Sequence, residues 1–155
     1  MPIIKDWENK RVMAGSNSVA TGGEDPSSLA FRLVSNAHSF LTIDWIEDGT
    51  AYVTLSVRDY PQTGSTLEDL MPTIEYIRKE SKDMIIRADL EGAGVINIDR
   101  FKSIVNLVSE VVEYTKNDNL LRQIQFVRTG FFFRMLYKPF SLAIPKYFRD
   151  MVVFL

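Results

Sequence analysis

DMIIRADLEGAGVINIDRFKSIVNLVSEVVEYT, residues 83–115, decides the fold. Met84 to Leu90 is nearly continuous in apolar residues, the pattern of a central strand covered on both faces. A loop with Gly92 and Gly94 follows, and then Asn97 or Asp99 stands where a helix needs its N-cap. From there Phe101, Ile104, Val105, Val108, Val111 and Val112 recur at helical spacing, while Lys102, Asn106, Glu110 and Glu113 face out. Asn117-Asp118-Asn119 ends the helix. A buried strand that runs into an amphipathic helix is one βα unit of a parallel sheet, and the rest of the chain extends that unit in both directions.

Upstream, Phe40 to Ile46 alternates toward a strand, Asp48-Gly49 is a hairpin turn signal, and Ala51 to Arg58 alternates again. After a loop at Tyr60–Gly64, Ser65 and Glu68 form a capping-box pattern for a helix from Thr66 to about Ser81. Leu67, Leu70, Met71, Ile74 and Ile77 are its core face, and Pro72 falls late enough to distort its start. Downstream, Leu120 to Arg128 reads as a strand with Ile124 out of phase, and Thr129-Gly130 leads into an aromatic helix from Phe131 to about Tyr137. Lys138-Pro139 should end or kink that helix. A short helical turn from Ile144-Pro145 and a strand at Met151–Leu155 complete the order ββαβαβαβ. The predicted class is α/β: a single mixed, mostly parallel sheet with an N-terminal hairpin, covering helices and right-handed crossovers.

Residues 1–29 read as an extended N-terminal arm before an α/β domain at 30–155. Gly15 to Ser28 cannot bury enough to order itself, so such an arm is ordered only against something else. Trp7, Val12, Met13 and Val19 are the arm residues expected to meet a partner. Ser27 to Ala37 is a candidate short helix, and the chain's one histidine, His38, follows it as a loop residue.

Composition narrows the chemistry. The chain has 155 residues, 46% hydrophobic and 25% charged, with net charge −2. That charge does not predict nucleic-acid binding. There is no cysteine, which excludes disulfides, thiol nucleophiles and thiolate-bound metals. No leader, glycosylation sequon or membrane-length apolar run is present, so a cytoplasmic or intracellular location is expected. Charge is uneven: residues 117–155 hold Arg122, Arg128, Arg134, Lys138, Lys146 and Arg149 against Asp118 and Asp150 alone.

The strand-to-helix loop Asp89-Leu-Glu-Gly-Ala-Gly94 resembles a phosphate cradle, but Asn97 stands where a dinucleotide fingerprint has its third glycine. Asp89, Glu91 and Asp99 could meet at the strand's end around a hard cation, or serve as caps and solvated acids. No triad or paired-carboxylate scheme assembles, and neither catalysis, a cofactor nor a metal is expected. The segment Phe131 to Phe140 admits three roles: core helix, apolar ligand pocket or membrane-surface patch. Phe131, Phe132, Leu136, Tyr137 and Phe140 are its candidate contact residues, and Arg134 and Lys138, one turn apart, its basic contacts.

Two family resemblances follow from these residues. Asp89-Leu90 with Ile98-Asp99 resembles the acid-Leu and Ile-Asp pattern of STAS domains, the anti-sigma-factor antagonist family. A phosphorylatable Ser follows the second Asp in that family; here the position is Arg100, so the switch is not implied. Phe133-Arg-Met-Leu-Tyr-Lys-Pro-Phe140 followed by Met151-Val-Val-Phe-Leu155 is similar to a helix ending in Lys-Pro-Phe, and the strand after it, in CRAL-TRIO lipid-exchange domains. Both imply the same α/β scaffold. The expected function is a non-catalytic protein-interaction or structural module, docked partly by its arm onto a protein partner, itself or a larger complex. The rival is a lipid or apolar-ligand module of CRAL-TRIO type.

Overall fold

The computed structural model describes Trp7, Asn9, Lys10 and residues 40–155 apart from Val95. Val12, Met13, Val19, the Ser27–Ala37 helix, His38 and the boundary at 29/30 lie outside the described residues. Five strands, β1 (Leu41–Glu47), β2 (Thr50–Ser56), β3 (Asp83–Asp89), β4 (Leu121–Val127) and β5 (Val152–Phe154), form one sheet in sequential order. β1 and β2 are antiparallel, and β2 to β5 run parallel. The crossovers carry α1 (Leu67–Glu80), α2 (Ile98–Thr115), and α3 (Phe131–Phe140) with the short α4 (Lys146–Met151). This is the expected mixed α/β sheet. Crossovers of one hand that step the same way across a sheet leave their helices on one face. The main core lies there, with Val53, Leu55, Met84, Ile86, Ile124 and Phe126 under the helices.

Local chemistry explains the ends of these elements. Asp48 and Gly49 both have positive φ, 53° and 83°, the backbone of a two-residue hairpin turn that an Asp-Gly pair supplies at low cost. α2 is capped by Asn97, whose side chain accepts from the Arg100 N–H at 2.8 Å. Its valines are mediocre helix formers, each unfavourable by about 0.5 kcal/mol. Burying each contributes roughly 1.5–3 kcal/mol, so packing wins. Val105, Val108, Val111 and Val112 are all buried.

Two boundaries differ from the sequence reading. α1 is capped one residue later than Ser65, by Thr66, and Asp69 rather than Glu68 reaches back to the Thr66 N–H at 3.1 Å. Ser65 instead donates its hydroxyl to Asp69. α3 does not stop before Pro139 but runs to Phe140. Proline removes one hydrogen bond from the last turn, while the Phe140 ring packs edge-on against Phe101 at 5.6 Å and holds that turn in place.

Two register shifts set the faces of the strands. One falls between Ile43 and Trp45, so Asp44 is an extra residue opposite β2. Asp44 and Trp45 therefore both turn to the face away from the helices. The other lies between Met84 and Ile85 on the β3–β4 ladder, where Leu121 and Gln123 are the successive partners and Arg122 is skipped. It resets the alternation of β4 and accounts for Ile124 being out of phase.

Candidate functional site

α3 follows its N-cap residue Gly130 and exposes several large apolar side chains. Phe131 is 79% exposed, and Phe132 and Met135 are about half exposed. Leu142, in the 3-10 turn after the helix, is 79% exposed. The helix forms because Phe133 on its opposite face is buried against Phe101 at 5.1 Å and Phe126 at 5.2 Å. The candidate contact residues thus divide. Phe131 and Phe132 point outward, whereas Leu136, Tyr137 and Phe140 pack against the core. Tyr137 stands edge-on to Phe154 at 5.1 Å, and burial pushes its phenol pKa up against a smaller opposing effect of Arg149. Of the basic candidates, Lys138 is exposed. Arg134 donates to the Thr129 hydroxyl at 3.0 Å and lies 5.5 Å from the Phe154 ring. Met135 and Leu142 were missed by the sequence reading. Met135, three residues after Phe132 and four after Phe131, was within reach of a helical-wheel count.

The acidic loop is organised by arginines. Asp89 accepts from the Glu91 N–H at 2.9 Å, lies 3.6 Å from Arg87 and 3.8 Å from Arg128, and Arg128 also pairs with Glu91. Among the described residues no group of three His, Cys, Asp or Glu side chains could hold a metal ion. Gly92 has φ 74°, and a Cβ there would stand 2.9 Å from Arg58 Cδ, so glycine serves the turn and its close packing. A polar cleft of about 90 Å³ opens beside it, lined by Thr42, Thr54, Ser56, Arg58, Asp59 and Asp89 among others. The Ser56 hydroxyl, and then Arg58, hold Asp59 below the usual carboxylate range. Arg100 donates through Nη2 to the carbonyls of Val57 and Tyr60 at 2.7 and 2.8 Å, which ties the β2–α1 loop to α2.

Trp7, expected to meet a neighbour, is 1% exposed and packs on its own sheet, on the face away from the helices. It forms a second small cluster with Trp45, Ile85 and Tyr52. Among the described residues no helix is long and apolar enough to cross a membrane.

No protein-family model matches the sequence, and no curated protein matches it. Among solved structures the chain is similar to Sfh5, known from its crystal structure, with 14% identity and a TM-score of 0.49. The match covers 98% of this chain and 57% of that one, so the chain spans less than two thirds of that protein's length.

Proposed function

We propose that the chain is a non-catalytic binding module of CRAL-TRIO type that meets a lipid or other apolar ligand through the outer face of α3. One observation carries this reading: four large apolar side chains, Phe131, Phe132, Met135 and Leu142, are exposed together on one helix and the turn that follows it. Exposed single apolar residues are ordinary, but a run of them on one segment marks a contact surface. Lys138 and Arg134 on the same helix, both exposed, give that surface a basic border suited to anionic headgroups. The membrane-surface role therefore fits the outward half of the segment, and core packing fits the inward half. The resemblance of Phe133–Phe140 to the Lys-Pro-Phe helix of CRAL-TRIO domains points the same way. The resemblance to STAS domains lends less, because Arg100 is engaged in holding a loop.

Vesicle co-sedimentation tests the reading. Wild-type protein should sediment with vesicles containing phosphatidylserine, and a Phe131→Ser/Phe132→Ser variant of unchanged thermal stability should lose at least about tenfold of that binding. Each buried ring is worth roughly 1.5–3 kcal/mol, so loss of two supports a change of that size. Equal sedimentation of the two proteins would sink the proposal. Native mass spectrometry of the purified chain then separates a bound lipid from surface contact alone.

A further inference from the structure

The face of the sheet opposite the helices is built to receive an indole. The bulge at Asp44 turns Asp44 and Trp45 outward together. Trp45 stacks on Tyr52 across the hairpin, with ring centroids 4.4 Å apart and planes 15° from parallel. Trp7 enters this frame edge-on, 5.2 Å from the Trp45 ring and 5.3 Å from the Tyr52 ring. Its Nε1–H donates to Asp44 Oδ2 at 2.8 Å, and the Arg87 guanidinium lies 5.0 Å from its ring. Asp44 is oriented for this by the Thr42 and Thr54 hydroxyls, which both donate to it. Three residues later Lys10 donates to both Glu47 carboxylate oxygens at 2.8 and 2.9 Å and lies 5.8 Å from the Trp45 ring. Trp7 and Lys10 have helical backbone, so residues three apart share one face.

Each property of tryptophan has its counterpart here. The one donor meets a carboxylate, the ring face meets a cation, and the ring packs at steep angles against two further aromatic rings. A carboxylate then reads the following lysine. The described contacts come from two side chains, and nothing in them depends on the segment being tethered. Residues 11–39 separate Lys10 from Phe40 and, fully extended, reach roughly 100 Å, enough for another molecule's site.

We propose that the outer face of the β1–β2 hairpin is a recognition site for a short helical segment carrying Trp and, three residues on, Lys. Trp7 and Lys10 fill it in cis, and the same two residues of a second copy of this chain fill it in trans. This is independent of the apolar surface on α3. Exchange of an identical segment between copies is a low-cost route to association.

The test uses the full chain with Trp7→Ala and a fluorescein-labelled peptide of residues 1–14, read by fluorescence anisotropy. The variant should bind the peptide saturably. Wild-type chain should bind it at least about tenfold more weakly, because a tethered copy competes at an effective concentration on the order of millimolar. A peptide carrying Trp7→Ala should not bind either chain. Lys10→Glu in the full chain changes an exposed residue and guards against misfolding of the first variant. It should raise peptide binding several-fold above wild type, and Lys10→Glu/Glu47→Lys should bring it back to wild type or below. Equal peptide binding by wild type and the Trp7→Ala chain would overturn the proposal. So would absent binding by a cooperatively melting Trp7→Ala chain, or no response to Lys10→Glu.

Discussion

Tyr137 joins the core to the candidate contact helix, and its hydroxyl makes it a reporter of that packing. Burial raises its pKa, so the folded state keeps the phenol proton longer than the unfolded chain does. The stabilisation this gives is complete below the ordinary tyrosine pKa of about 10 and is lost as pH rises through the raised value. Tyr76 is raised by burial, and then by Glu80, with the same sign. Lys10, raised by its hydrogen bond to Glu47, also loses its contribution as pH rises. Stability should therefore fall above about pH 10, and Tyr137→Phe should flatten part of that fall without abolishing it. Urea unfolding from pH 8 to pH 11 measures the difference. Superimposable profiles for variant and wild type would show that Tyr137 is solvated. Arg100 and Arg87 were legible only in part. Arg100 was visible as the residue standing where a STAS serine would be, but its bonds to the Val57 and Tyr60 carbonyls reach back 43 and 40 residues. Arg87 interrupts the apolar run Met84–Ala88 of β3 and is 0% exposed. Its place beside Asp89 and the Trp7 ring belongs to the far face of the sheet, which strand composition does not describe.

At the level of elements, α2 was the most readable. Its apolar spacing, its Asn97 cap and its end near Asn117–Asn119 are all properties of neighbours within a turn or two. The helix ends at Thr115, a 3-10 turn follows, and Asn119 takes the left-handed conformation with φ 55°. Asn97→Ala should cost about 1 kcal/mol, because a first-turn amide loses its acceptor. In a domain of this size that lowers the melting temperature by roughly 2–4 °C. Asn97→Asp should recover most of the loss, since it keeps the acceptor and places a negative charge at the positive end of the helix. Calorimetry on the three proteins decides the matter, and an unchanged melting point for Asn97→Ala would count against the cap. α3 was less readable, because Pro139 signals a stop by local rules. The packing of Phe140 on Phe101, 39 residues earlier in the chain, outweighs that signal.

For the whole molecule, the main consequence of the topology is a sheet with two unlike faces. One carries the helices and the rings of Phe101, Phe126, Phe133 and Phe154, and the other carries Tyr52, Thr54, Arg87 and Gln125 with Trp7 upon it. The aromatic segment contributes to stability through its inward side only. Phe133→Ala should therefore cost about 3–5 kcal/mol, while Phe131→Ser should change stability by less than about 0.5 kcal/mol. Denaturant midpoints for the two variants check this, and similar losses in both would mean that Phe131 is also packed. The amino-acid sequence by itself determined the order of the elements, the Asp48-Gly49 hairpin, the α/β class and the core face of α2. Each of these is written in spacings of two to four residues, the range over which strand and helix periodicity acts. Only the tertiary structure decided which aromatic residues of α3 stay exposed and that Trp7 lies on its own sheet. The first outcome turns on the packing of Phe133 against Phe101 and Phe126, and the second on a one-residue bulge at Asp44 and the contact of Trp7 with Asp44, 37 residues apart. A bulge reverses the face of every side chain after it, and a long-range pair exists only once both partners have been brought to the same face.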